Sequence, residues 1–137
     1  MNNKSGLGGT NYAGSLDFEN YWGEKLIYVE IYHYMSNIFN GNRLLTSFKK
    51  TTDVEDKTTV VGALQFSYVL GDLEYLDYWG IKFITASNEI YSSDDGGRCS
   101  IRAEDGGKVI LGVNGESKRM YISMLSGVCS YSLNRTA

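Results

Sequence analysis

The chain has 137 residues, a net charge of −3, 42% hydrophobic residues and 13% aromatics. That length suits one domain, and the composition is too apolar and too weakly charged for disorder. No basic run exceeds Lys49-Lys50, so the positive patch of a duplex-binding protein is missing and no nucleic-acid partner is expected.

Eleven Tyr, sixteen Gly and no Pro favour strands joined by Gly turns over helices. The first 24 residues carry no apolar core of a signal peptide, and nothing approaches the ~18 consecutive apolar residues of a membrane-spanning helix. The expectation is production in the cytoplasm, with any release independent of a signal peptide.

In chain order, residues 1–14, with Gly6, Gly8, Gly9 and Gly14, read as a flexible arm or a loosely attached first strand, leaving 15–137 as the folded domain. The block Leu16–Ile27 then recurs at Leu73–Ile84, with Leu, Tyr, Trp, Gly, Lys and Ile at matching positions. Such self-similarity points to one supersecondary unit used twice, with one Trp-Gly-x-Lys strand in each half of the domain. Lys25–Met35 alternates with period two, placing Ile27, Val29, Ile31 and Met35 on one face and Leu26, Tyr28, Tyr32 and Tyr34 on the other. A short strand at Leu44–Phe48 precedes a polar turn at Thr51–Lys57, and Thr59–Leu70 alternates with Val60, Leu64, Phe66, Tyr68 and Leu70 on one side.

The second Trp block continues through Thr85, and short strands follow at Ile90-Tyr91, Cys99–Ala103, Lys108–Val113, Arg119–Leu125 and Val128–Leu133. Acidic and Asn-Gly turns separate them, which is the strongest local signal for hairpins. About nine strands with tight turns predict an all-β fold, a single antiparallel sandwich built on the internal pseudo-repeat.

Catalytic chemistry has no local sign. His33, the only histidine, falls on the apolar face of its strand and reads as a satisfied core or edge residue; a triad would need His33 to find its partners by tertiary contact alone. Nucleophile-elbow, zinc-helix and phosphate-loop motifs are missing, so no enzyme, no cofactor and no metal site is expected. The turns Asp94-Asp95-Gly96-Gly97 and Glu104-Asp105-Gly106-Gly107 could offer oxygen ligands to calcium, but they are equally good hairpin turns. Cys99 and Cys129 read first as two reduced, buried thiols, with a single bridge as the alternative because both fall at inward positions. Asn3-Lys4-Ser5 and Asn134-Arg135-Thr136 match the glycosylation triplet and read as accidents of an Asn-rich chain.

The aromatic residues are the main functional clue. Rings with one polar end suit sugar stacking, lipid headgroup contact or a protein interface, whereas Trp22 and Trp79 read as core. The ligand-binding candidates are Tyr28, Tyr32, Tyr34, Tyr75 and Tyr78.

Phe66-Ser67-Tyr68, Asp77-Tyr78-Trp79, Lys82-Phe83, Tyr91, Cys99-Ser100-Ile101, Glu104-Asp105-Gly106 and Cys129 resemble a small β-sandwich family first noticed as proteins up-regulated in long-lived nematode insulin-signalling mutants. That resemblance implies a dimer-forming sandwich without catalysis. Trp22-Gly23 with Lys25, and Trp79-Gly80 with Lys82, are similar to the two Trp-Gly elements of aegerolysins, although the Cys-Pro-Trp-Gly signature has no counterpart in a chain without Pro. This second similarity implies lipid binding and a cytolysin-like role. The expected function is therefore non-enzymatic recognition of membrane lipid or glycan, as a small cytolytic, pore-forming or insecticidal toxin. The alternative is a protein-interaction or structural module acting as a homo- or heterodimer, with the Tyr face buried against the partner.

Overall fold

The computed structural model describes residues 9–37, 40–71, 75–94 and 96–136. Its strands are β1 (Thr10–Tyr21), β2 (Leu26–Asn37), β3 (Asn40–Val54), β4 (Thr58–Leu70), β5 (Tyr75–Thr85), β6 (Ile90–Ser92), β7 (Gly97–Arg98), β8 (Lys108–Asn114), β9 (Arg119–Met124), β10 (Gly127–Ser132) and β11 (Asn134–Arg135). One sheet has the order β10-β9-β8-β1-β4 and the other β11-β6-β5-β2-β3, with β7 beside β5. The all-β sandwich read from the alternation is the fold. Its ladders are antiparallel apart from β1 and β8, which run parallel.

Period-two patterning decides which side chains are buried. On β4, Leu64, Phe66 and Tyr68 face inward while Gln65 and Ser67 are exposed. Leu16, Phe18, Leu111 and Ile122 from the first sheet meet Val29, Ile31, Trp79 and Phe83 from the second. Each such fully buried side chain contributes roughly 1.5–3 kcal/mol.

Tertiary context changes several element boundaries. β1 starts at Thr10 because Thr10–Gly14 pair with Phe66–Leu70, so this part of the predicted arm belongs to the domain; residues 1–8 lie outside the described residues. Glycine is required at position 14, where a Cβ would lie 2.4 Å from the Phe66 ring. β3 runs on through the predicted polar turn to Val54. It is the outer strand of its sheet, so its polar residues remain hydrated while its backbone pairs with β2. Cys99–Ala103 forms no strand: the Cys99 N–H donates to the Asp77 carbonyl at 2.9 Å and the Ile101 N–H to Asp77 Oδ2 at 3.1 Å. A side-chain carboxylate thus takes the place of a ladder partner.

Bulges alter the faces as well. The register shifts between Leu26 and Tyr28, so Leu26, expected beside the tyrosines, is buried in the core. The two Trp blocks also differ in structure. The described part of the second lies within β5, centred on Trp79. The first straddles the end of β1, a connection and the start of β2, so Trp22 lies on no strand. It is fixed instead by Asn20, a fully buried residue whose Oδ1 accepts the Trp22 N–H at 2.9 Å. Asn20 Nδ2 faces the carbonyls of Glu24, Val54 and Glu55 at 3.0–3.1 Å. Both Trp side chains are buried, as expected for core residues.

Cys99 and Cys129 form a disulfide, correcting the reading of two reduced thiols. The bridge ties the irregular Cys99–Ile101 segment to β10, and the tertiary approach of their Cα atoms to 6.1 Å makes it geometrically accessible.

Candidate functional site

Strand β2 presents two sites, one on each face. Its outward residues lie between β3 and β5: Tyr32 is opposite Phe48 and Gly80, and Tyr34 is opposite Leu45 and Tyr78. The Tyr32 and Tyr34 rings stack with centroids 6.0 Å apart, and Phe48 lies 5.0 Å from Tyr32. The Arg43 guanidinium sits 3.9 Å above the Tyr78 ring, an attraction between a cation and the ring's negative face. Leu45 and Phe48 are 50% and 41% exposed, so a continuous apolar strip reaches solvent.

Polar groups define one end of this strip. Both carboxylate oxygens of Glu30 accept phenol hydrogens, one from Tyr28 and the other from Tyr32. Burial pushes the Tyr32 hydroxyl well up, and the Glu30 carboxylate adds to the shift. For Tyr28 the hydrogen bond to Glu30 is the leading cause of its raised value. Burial alone would raise the Glu30 carboxyl, but the two tyrosine hydroxyls and the charges of Lys82 and Lys50 outweigh it and hold the group below its ordinary 4.5. The hydroxyls at Tyr28 and Tyr32 are thereby engaged within the protein, leaving ring surface as the contact these residues offer.

Four of the five tyrosines named from sequence, Tyr28, Tyr32, Tyr34 and Tyr78, share this outer face. Tyr75 does not. It stands opposite Asn37 at the end of the ladder, three residues from Tyr78 and hence on the other parity, where it lines a cleft at the mouth of the sandwich.

The inward face of β2 carries His33, which is fully buried. Its ring packs 4.4 Å from Trp79 and 5.1 Å from Phe66. His33 Nε2 lies 2.8 Å from Asp77 Oδ1, and Nδ1 lies 2.6 Å from Thr46 Oγ1. Both ring nitrogens of His33 are thus engaged, Nε2 by the Asp77 carboxyl group and Nδ1 by the Thr46 hydroxyl. The Thr46 hydroxyl donates to the His33 carbonyl at 3.0 Å. His33 is a satisfied, buried histidine, as its place on the apolar face implied, and its partners arrive by tertiary contact.

Those partners had no local signal. Thr46 is the extra residue of a bulge, since His33 pairs with Ser47 and Tyr34 with Leu45; bulges re-aim side chains in this way. Asp77 is held by the bridged segment: Oδ2 accepts from Ile101, and Trp79 Nε1 donates to the Cys99 carbonyl at 2.8 Å. Gly96, at φ +80°, fits closely beneath; a Cβ there would come within 2.6 Å of the Trp79 carbonyl oxygen. Thr46 opens onto a cleft of about 370 Å³ walled by Met35, Ser36, Arg43, Leu44 and Tyr75. Ser36 is buried, and its Oγ has no hydrogen-bond partner among the described residues.

The acidic turns serve the fold. Asp105 is buried, and its carboxylate accepts from the backbone N–H groups of Arg102 and Ser126 and from the Ser126 hydroxyl. Asp95 lies outside the described residues, and among those described no group of three His, Cys, Asp or Glu residues is placed to hold a metal ion. No described helix is long and apolar enough to cross a membrane. Asn134, of the second glycosylation triplet, donates through Nδ2 to Asp94; Asn3 lies outside the described residues. No protein-family model and no curated protein matches the chain.

Proposed function

We infer that the protein binds a sugar ring, carried by a glycan or by a membrane lipid headgroup, on the outer face of β2, β3 and β5. The observation that carries this reading is the contiguous run of partly exposed rings at Phe48, Tyr32 and Tyr34. Flat rings stack on the C–H faces of sugars at low entropic cost, and flanking polar groups provide orientation. Glu30, Lys50 and Lys82 provide hydrogen-bonding groups nearby. The disulfide supports action in an oxidising compartment, and the similarity to aegerolysins supports a cytolytic, insecticidal role at a membrane.

The test is co-sedimentation with vesicles of defined glycolipid content, with dye release followed in parallel, and binding to immobilised glycans. Wild-type protein is expected to bind one headgroup class, and Tyr32→Ser combined with Tyr34→Ser to abolish binding without unfolding. Unchanged binding by that folded variant would remove the outer face as the site.

A second reading, a dimer formed through the same face, is favoured by the exposed Leu45 and Phe48 on an outer strand. Light scattering separates the two: a stable dimer that the same Tyr pair dissolves would make this face a subunit interface.

A further inference from the structure

We propose that the tip of the β9–β10 hairpin and the arginines beside it dock the protein onto an anionic phospholipid bilayer, Arg98 and Arg102 holding lipid phosphates while Leu125 and Val128 enter the apolar layer. This surface is distinct from the ring-lined face of β2, β3 and β5, and the inference does not depend on that face. The apolar half of the surface has no partner in the fold. β9 ends at Met124 and β10 begins at Gly127, so Leu125 and Ser126 form a two-residue turn. Gly, Asn, Asp and Ser are the usual residues of such turns. Leu125 instead puts a side chain there that is 81% exposed, the most of any large apolar residue described, and Val128 is 67% exposed.

The basic half lies against it. Arg98, Ser100 and Arg102 wall a cleft of about 340 Å³ together with Val128, and no acidic side chain is among its described walls. Both arginines are exposed, and among the described residues neither guanidinium makes an ion pair. Guanidinium groups match phosphate oxygens in charge and in bidentate geometry. Ser100 Oγ accepts the Asp77 N–H at 3.4 Å, which leaves its own hydrogen to donate to a phosphate oxygen. Lys108, a third exposed cation, lines a second cleft beside Leu125, where Asp17 is already engaged by the Gly62 N–H at 2.8 Å. Glu104, the exposed acid between the arginines and Lys108, lines neither cleft.

Three ties hold the two halves together. The Cys99–Cys129 bridge joins the arginine segment to β10, the Tyr131 hydroxyl donates to the Arg98 carbonyl, and the Asp105 carboxylate accepts the Ser126 N–H and hydroxyl at 2.7 and 2.9 Å. Cations and apolar tip are thus presented as one fixed unit, so docking costs little ordering of the chain. The net charge of −3 opposes an anionic surface, but exposed charges more than about 10 Å away are screened at ordinary ionic strength, and the local sign decides. A free phosphate ion would engage the arginines and leave the apolar tip in water. A bilayer satisfies both halves at once.

The experiment uses the full chain with its disulfide intact. Co-sedimentation is measured with vesicles of phosphatidylcholine alone and of phosphatidylcholine mixed with phosphatidylserine, neither containing glycolipid. The wild type is expected to bind the mixed vesicles and to lose that binding as salt is raised. Arg98→Gln combined with Arg102→Gln should weaken it about 30-fold, since each basic side chain at an anionic surface is worth about fivefold. In Leu125→Trp, the emission added by the new indole should shift to the blue on the mixed vesicles, reporting entry of the tip into the apolar layer. Tyr32→Ser with Tyr34→Ser should keep this binding, which separates the result from the fate of the outer face. Circular dichroism establishes that the variants are folded. Equal binding to both vesicles, unchanged binding by the folded arginine variant, no binding to either vesicle, or an indole emission that does not move overturns the proposal.

Discussion

Along β2, Tyr28, Tyr32 and Tyr34 keep partly exposed rings on the outer face, whereas His33 between them is sealed inside. Both faces contain a carboxylate paired with a ring donor. Outside, Glu30 accepts from Tyr28 and Tyr32 two residues away on the same strand. Inside, Asp77 reaches His33 from β5 and is itself oriented by the Cys99–Ile101 segment. The outer arrangement is local, hydrated and tolerant of change, while the inner one is non-local, dry and fixed by packing. A polar group sealed from solvent is costly to leave unpaired, so the inner network should dominate stability and the outer one should be free to serve recognition.

The comparison breaks most sharply at Asp77. Asp77→Ala leaves His33 Nε2 and the Ile101 N–H without partners, and a loss of about 3–5 kcal/mol in urea unfolding is expected, as for other broken buried pairs. Opening the Cys99–Cys129 bridge with Cys99→Ser and Cys129→Ser should cost less, about 2–4 kcal/mol for a bridge closing a loop of this order, with the residues 30 apart in sequence. The same change loosens the segment that orients Asp77, so the His33 ring resonances should broaden or shift while the outer Tyr resonances stay put.

Tyr32→Ser with Tyr34→Ser touches only the outer face. A stability change of about 1 kcal/mol is expected from lost cross-strand pairing, against complete loss of ligand binding. A stability loss rivalling that of Asp77→Ala would erase the distinction between the faces.

The smallest effect is a pH dependence. Glu30 titrates below its ordinary 4.5 in the fold, so its contribution is present above that pH and is lost as pH falls through the folded value. The stability difference between wild type and Glu30→Gln should therefore shrink on acidification below about pH 4.5. Tyr32 is displaced upward from 10.0, so its contribution is full below pH 10 and declines as the pH rises beyond it. Parallel pH profiles for wild type and Glu30→Gln in chemical denaturation would exclude the Glu30 network as a stabilising element.

What local sequence determined is the strand pattern and the burial that follows from it. Alternation placed Leu64, Phe66 and Tyr68 inside and the tyrosines of β2 outside, because adjacent side chains on a strand point to opposite faces and the apolar set must leave water. Pairing at long range decided the rest. Bulges at Leu26 and Thr46 reversed the parity that simple alternation assigns, and the disulfide and Asp77 joined segments far apart in the chain. Thr46 and Asp77 reach His33 only because β3 and β5 flank β2 in one sheet, and no spacing along a single strand encodes which strands become its neighbours.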